Sequence, residues 1–125
     1  MNFITRMRPS APDAMAPDGS EVRILAAASS GSMAEFRLGS GAISKAVAHR
    51  TVEEVWLFTG GQGRMWRKLG TQEEIVEVHA GVSVSIPVGT HFQFRSDSQE
   101  ALVAVGVTMP PWPGMEEAYE VDGVW

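Results

Sequence analysis

The residues best suited to chemistry lie between positions 49 and 54, where a histidine is followed by two glutamates. The imidazole of His49 can accept or donate a proton near neutral pH. A carboxylate beside it can tune that exchange or bind a metal ion together with it. Adjacent residues of a strand point to opposite faces, so Glu53 and Glu54 cannot act together as the two acids of a glycosidase.

Aromatic residues continue this stretch at the spacing of a strand. Glu54, Trp56 and Phe58 alternate with Val55 and Leu57, so the first three share one face. An apolar surface with a few polar groups is typical of small-ligand sites, although large apolar side chains also fill ordinary cores. The sequence therefore predicts either a pocket or plain core packing around Glu54.

Two segments, residues 49–63 and 81–94, resemble the two conserved motifs of the cupin superfamily. Glu54 stands seven residues before Gly61, as the glutamate of the first motif stands before its glycine. The second segment has the opening glycine, proline and glycine of the second motif at the same spacing: Gly81, Pro87 and Gly89. The resemblance implies an antiparallel β-barrel or jelly roll with a small-molecule site inside.

The resemblance also implies a divalent metal cofactor inside the barrel. Cupins bind it through two histidines and a glutamate of the first motif and a histidine of the second. His49 matches the second of those histidines and Glu54 matches the glutamate, whereas Val47 stands at the position of the first. Two of the four ligand positions are thus retained in register.

In the second motif the histidine position is occupied by Phe92, and His91 lies one residue earlier. A shift of one residue turns a side chain to the opposite face of a strand, unless a bulge at Thr90 turns it back. If a metal is bound, we therefore expect the ligands to be His49, Glu54 and His91. The alternative is a metal-free pocket in which His49 and Glu54 form a buried pair.

The predicted ligand pocket combines aromatic and basic side chains. Trp56, Phe58 and Phe92 are expected to line it, with Phe94 beside them. Arg64 is expected at its mouth, where a guanidinium can bind a carboxylate or phosphate. Other cations near the motifs could reach the same place or could simply be solvated: Lys45, Arg50, Arg67 and Lys68.

Composition limits the classes of function. The 125 residues predict one domain, and the absence of cysteine excludes disulfides and thiolate sites. A net charge of -5 and a pI near 5.1 argue against nucleic-acid partners. Charged residues interrupt the N-terminal segment before an apolar run develops, and no later segment reaches membrane-spanning length. We therefore expect a cytoplasmic protein without a membrane partner.

The elements that would position these residues are strands. Apolar residues recur with a period of two, and glycines separate the runs, which predicts six to ten antiparallel strands over residues 21–109. Residues 1–20 read as an N-terminal arm and residues 110–125 as an irregular tail that Trp112 and Trp125 fix to the barrel. The glycines at 60–63 predict a tight hairpin turn, and residues 71–74 a polar turn rather than a helix.

Val55 and Leu57 are apolar although they lie on the face opposite the pocket residues. A strand that is apolar on both faces needs cover on both. We therefore expect a homodimer, in which the N-terminal arm could cross to the other subunit.

Two functions follow from these patterns. The first is an enzyme that acts on a small polar or carbonyl-bearing metabolite, with or without a metal, in which His49 and Glu54 form the acid–base pair. The resemblance to small cupins implies isomerisation, cyclisation, decarboxylation or dioxygen chemistry as the reaction class, and dioxygen chemistry is the least favoured because it normally needs a three-ligand metal. The second is a non-catalytic, metal-free protein that binds a small molecule. The losses at Val47 and Phe92 favour the second function, and the retained pair favours the first.

Overall fold

The computed structural model describes residues 2–125 and contains eleven strands and one short 3-10 helix, Met115–Glu117. The strands are β1 Ala14–Met15, β2 Glu21–Ala28, β3 Gly31–Leu38, β4 Val47–His49, β5 Glu53–Gly60, β6 Gln62–Leu69, β7 Gln72–His79, β8 Ser83–Ile86, β9 His91–Ser96, β10 Leu102–Met109 and β11 Ala118–Glu120. No helix described between residues 2 and 125 is long and apolar enough to cross a membrane.

The strands form two antiparallel sheets. One sheet has the order β1-β2-β3-β10-β5-β8 and the other β11-β4-β9-β6-β7. The sheets pack face to face as a jelly roll and are not joined into a closed barrel, because no strand of one sheet pairs with a strand of the other. The predicted all-β antiparallel fold is confirmed, and residues 21–109 contain nine strands, within the expected six to ten; β1 and β11 lie in the two terminal segments.

The core lies between the sheets, where the inward residues of each strand meet. Alternation decides which residues these are: in β5 the buried and exposed side chains alternate over seven residues, from exposed Glu53 to exposed Thr59. The buried apolar cluster is made of Leu38, Val47, Trp56, Phe58, Met65, Val78, Val84, Ile86, Phe92, Phe94, Leu102 and Ala104.

Two turns position the site, and one of them differs from the prediction. Gly61 is the single residue between β5 and β6, but these strands belong to different sheets. The predicted hairpin turn at 60–63 is therefore wrong: the glycines carry the chain across the sandwich. Gly61 has a φ of 77°, a conformation that glycine adopts without strain. The other turn, residues 50–52, carries the chain from β4 back to β5.

Both terminal segments are more ordered than predicted. In the N-terminal arm, Ala14 and Met15 pair with β2, and Arg23 donates hydrogen bonds to the carbonyls of Pro9 and Ser10. In the tail, β11 pairs with β4. The main-chain NH groups of Val124 and Trp125 donate to Gln93 Oε1.

Candidate functional site

His49 and Glu54 face each other across the interior of the sandwich. His49 ends β4 in the five-stranded sheet, and Glu54 is the second residue of β5 in the six-stranded sheet. The short turn between the strands brings His49 Nδ1 to 3.1 Å from Glu54 Oε1. Both residues are buried, with exposures of 5% and 3%.

The turn that sets this distance is held by Glu117 of the tail. Its carboxylate accepts hydrogen bonds from the main-chain NH of Thr51, the hydroxyl of Thr51 and the main-chain NH of Val52. Although burial alone would raise the pKa of Glu117, these hydrogen bonds hold it below the ordinary value. The tail therefore fixes the turn through a charged acceptor.

The pair opens onto a cavity of about 270 Å³ between the sheets. Its surface is mostly apolar, and both ends of the chain contribute to it, with residues 14–18 on one side and Trp112, Met115 and Ala118 on another. The polar side chains of its wall are Asp18, Ser32, His49, Glu54 and Thr108. No lysine or arginine of residues 2–125 lines it.

Aromatic rings form much of the cavity wall. Trp56 stacks on Phe36 with ring centroids 4.8 Å apart. The imidazole of His49 makes edge contacts with Phe92 and Trp112 at 5.3 and 5.2 Å. The pair of titratable groups therefore lies among rings rather than in water, which disfavours charge on both.

Burial determines the protonation of Glu54. It raises the pKa of this carboxyl from 4.5 to about 7. The hydrogen bonds from Trp56 Nε1, at 2.6 Å, and from Thr108 lower it, while the nearby Asp18 carboxyl raises it. Glu54 can therefore hold or release a proton near neutral pH.

Burial acts on His49 in the same sense, against the charged form. It lowers the pKa of the imidazole from 6.5 to about 4, against an opposing effect of Glu117. Nδ1 lies close to Glu54 Oε1, yet it has no partner with hydrogen-bond geometry among residues 2–125. We therefore interpret the 3.1 Å approach as proximity without an aligned hydrogen bond, so that Nδ1 of a neutral imidazole is left without a partner.

Asp18 is a site residue that the sequence analysis did not identify. Its Oδ1 accepts hydrogen bonds from the main-chain NH and the hydroxyl of Ser20, at 2.9 and 2.7 Å. Burial raises the pKa of this carboxyl. The only sequence signal was the Asp18-Gly19 turn pair, which indicates a loop and not a cavity.

Comparisons with known proteins support the fold. No protein-family model and no curated protein sequence matches the chain. Solved structures do match. An uncharacterized conserved protein with a double-stranded beta-helix domain from Klebsiella pneumoniae has a TM-score of 0.68 at 12% identity, covering 95% of this chain and 91% of that one.

Two further matches are parts of longer chains. Oxalate decarboxylase from Bacillus subtilis has a TM-score of 0.73 at 15% identity over 90% of this chain. The capsular polysaccharide assembling protein CapF from Staphylococcus aureus has a TM-score of 0.66 at 18% identity over 82% of this chain. This chain spans only 30% of each.

The protein has the cupin fold. At these identities the likeness shows the fold and not the activity. The oxalate decarboxylase is described with Mn(II) centres, and one CapF structure with the inhibitor 3-isopropenyl-tropolone. A divalent metal and a small ligand are thus features of cupin-fold neighbours.

His91 does not join the pair, and the predicted bulge at Thr90 is absent. β9 pairs with β6 without interruption from Ser96 to His91, which lies opposite Lys68. Because Phe92 points into the core, the regular strand directs His91 to the outer face. His91 is accordingly not part of the cavity wall.

The donors present do not fit the metal site of the cupin motifs. His49 and Glu54 lie together, but Val47 and Phe92 occupy the other two ligand positions and have no donor atoms. In the part of the chain from residue 2 onwards, no three His, Cys, Asp or Glu side chains are grouped to hold a metal ion. The predicted set of His49, Glu54 and His91 is therefore not assembled, since a tight site needs at least three protein ligands.

The other predicted pocket residues divide into two groups. Trp56 and Phe92 line the cavity, whereas Phe58 and Phe94 pack in the core behind Trp56. Arg64 is not at the cavity: it is exposed on the outer face of the five-stranded sheet, where the strand register places it opposite Arg95 and Glu77. Its position was mispredicted because the chain passes from one sheet to the other at Gly61, between β5 and β6.

Lys45 and Arg50 also lie outside the cavity. Lys45 approaches Glu120 at 3.7 Å on the surface. Arg50 donates to the carbonyl of Glu116 and lies over the ring of Tyr119. Both cations therefore hold the tail.

Proposed function

We propose that this protein is a small cupin-fold enzyme that binds a carbonyl-bearing metabolite in the cavity and exchanges a proton with it through His49 and Glu54. One observation carries the proposal: a neutral imidazole nitrogen and a carboxyl with raised pKa lie 3.1 Å apart in an apolar cavity. Acid–base pairs with pKa values shifted by burial are typical of catalytic sites.

The two groups suit complementary steps. Protonated Glu54 can donate its proton to a carbonyl oxygen, while neutral His49 removes a proton from the adjacent carbon. The substrate becomes an enol, and the enzyme holds an imidazolium beside a carboxylate. The imidazolium of His49 then returns its proton to a different carbon of the enol, while the Glu54 carboxylate takes back a proton from an enol hydroxyl, which gives an isomer and restores both neutral groups. The apolar walls exclude competing water.

A second candidate is a binding protein without catalysis. The observation that favours it is the apolar character of Val47 and Phe92 at two positions where the cupin motifs have metal ligands. Under this alternative the cavity holds its ligand through apolar contact and one hydrogen bond to His49 or Glu54.

Deuterium exchange distinguishes the two candidates. Protein in D2O is incubated with small ketones such as butan-2-one, and exchange next to the carbonyl is followed by proton NMR. The proposal predicts exchange that His49→Gln abolishes and that the matched change of an exposed histidine, His79→Gln, leaves intact. Binding in calorimetry without exchange would establish the second candidate. A protein that shows no binding and no exchange would refute both candidates.

Metal content is measured on the same samples. The proposed proton transfer needs no metal, and the donors present supply two ligands. One equivalent of a divalent ion that is lost in His49→Ala and retained in His79→Ala would restore the metal-dependent alternative.

A further inference from the structure

The cavity has an unusual inventory of charges. Two acidic side chains, Asp18 and Glu54, belong to its wall and are only 6% and 3% exposed. No basic side chain of the described residues lines the cavity to balance them. Buried carboxyl groups in proteins are ordinarily paired with a cation. Burial raises the pKa of both carboxyl groups, and a bound positive charge is the partner that would allow them to ionise in this cavity.

The walls fit such a charge as well. Four aromatic rings line the cavity: Phe36, Trp56, Phe92 and Trp112. The faces of aromatic rings attract organic cations, most strongly where water is excluded, and rings combined with a carboxylate are a common way to bind alkylated ammonium groups. An anionic ligand would meet two carboxyl groups and no guanidinium or ammonium group.

A third observation indicates that the cavity is built for a ligand rather than only for packing. His49 is 5% exposed, belongs to the wall and has a buried Nδ1 without a hydrogen-bond partner among residues 2–125. Leaving such an atom unpaired is costly. A ligand hydroxyl that donates a hydrogen bond would satisfy it.

We propose that the substrate or ligand of this cavity is a small organic cation, an amine or alkylated ammonium compound. Asp18 and the aromatic walls bind its charged end, and the oxygen function lies at His49 and Glu54. This inference rests on the proposed function, because it names the class of molecule on which that pair acts. It assigns to Asp18 the role of selecting the ligand by charge.

Three probes of nearly equal shape test the charge preference: choline, its neutral carbon isostere 3,3-dimethylbutan-1-ol, and the anion 3,3-dimethylbutanoate. Affinities for the full-length protein are measured by calorimetry. The cation is expected to bind about tenfold more tightly than the neutral alcohol. The anion is expected to bind more weakly than either.

Asp18→Asn is the decisive variant, because asparagine keeps the Oδ1 atom that accepts both hydrogen bonds from Ser20. It should reduce the preference for choline over the alcohol about tenfold while the alcohol still binds. Asp122→Asn, the same change at an exposed position, should leave the preference unchanged. If Asp18→Asn fails to fold, Trp112→Leu replaces it, because loss of an aromatic ring from the cavity wall should also reduce the preference for choline over the alcohol.

The outcomes separate this inference from the proposed function. If the neutral alcohol binds as tightly as choline, or if Asp18→Asn keeps the preference, the inference is wrong and the ketone-exchange result stands by itself. Failure of all three probes to bind would also overturn it. Conversely, a clear preference for choline without any ketone exchange supports an organic-cation site in a protein that is not an enzyme.

Discussion

The character of the site is set by two side chains whose charges burial suppresses. His49 is neutral above a pKa of about 4, and Glu54 is protonated below a pKa of about 7. Between these values an uncharged imidazole faces a carboxylic acid. Neither group would have these properties on the surface, because the apolar wall around Trp56 and Phe92 is what removes the solvation of the charged forms.

These shifts have opposite effects on stability. Glu54 binds its proton more tightly in the folded state, so its contribution is present at low pH and declines as pH rises from 4.5 to about 7. His49 binds its proton less tightly in the folded state. Its contribution therefore increases as pH rises from about 4 to 6.5. In the native protein the two slopes oppose each other.

Replacing either side chain should reveal how the other one changes the free energy of unfolding with pH. The free energy of unfolding of Glu54→Gln is expected to rise relative to native from pH 4.5 to 6.5, by up to about 1.4 kcal/mol per pH unit. That of His49→Gln should fall relative to native over the same range. Urea denaturation at several pH values measures both. Profiles parallel to that of the native protein would show that neither pKa is shifted.

Among the elements, the turn from β4 to β5 determines whether the pair meets. Glu117→Gln keeps the size of the side chain but removes the charge that accepts the hydrogen bonds of Thr51 and Val52. A loss of about 1–3 kcal/mol in the free energy of unfolding is expected. Glu116→Gln, at the exposed neighbour, serves as the control and should be neutral within about 0.5 kcal/mol.

The destabilisation caused by Glu117→Gln should depend on pH. Because hydrogen bonding lowers the pKa of Glu117, the stabilisation is complete above its ordinary value of 4.5 and is lost as pH falls further. The difference between native protein and Glu117→Gln should therefore narrow below pH 4.5. A difference that stays constant into acid would indicate that the charge of Glu117 does not support the turn.

β10 contributes to the cavity by lacking a side chain. A Cβ at Gly106 would lie 2.7 Å from Trp56 Cδ1 and 2.9 Å from Phe36 Cε2, within the stacked pair. Gly106→Ala should destabilise the protein by about 1–3 kcal/mol and change the tryptophan fluorescence as the rings separate. Gly39→Ala, where the added atom meets nothing within 4 Å, is the matched control. Equal stability of both variants would contradict the described packing.

For the whole molecule, the sequence predicted what depends on strand period. The inward faces of β5 and β9 follow from alternation, which places Glu54 and Trp56 inside and Val55 outside. The alternation of residues along a strand could not predict which distant segments close the cavity. Asp18 and Trp112 come from the two terminal segments, and no local pattern links them to His49. The predicted position of Arg64 at the pocket mouth was wrong for a related reason, since a glycine turn does not reveal that the next strand joins another sheet.

The homodimer remains a prediction. On the outer face of the six-stranded sheet, Val55 and Leu57 are each 47% exposed and Met33 is 37% exposed. Arg8 of the N-terminal arm binds Glu35 on the same face, at 2.8 Å. A second copy that covers this sheet would bury the exposed apolar side chains of both.

Light scattering tests the dimer. The native protein should have twice the mass of 13.5 kDa at micromolar concentration, and Leu57→Lys should shift it towards the monomer. Ile75→Lys, at an equally exposed apolar residue of the five-stranded sheet, should not. A native protein that is monomeric throughout, or a dimer that Leu57→Lys leaves intact, would refute the assignment of this face.

We expect His49 to be a buried, neutral base beside a protonated Glu54. Nitrogen-15 NMR of the imidazole over a range of pH tests it most directly, because the ring shifts report its protonation. A neutral ring is expected at pH 7, and it should remain neutral on acidification to pH 5 and titrate only near pH 4. Titration of His49 near 6.5, the ordinary value for a histidine, would contradict it.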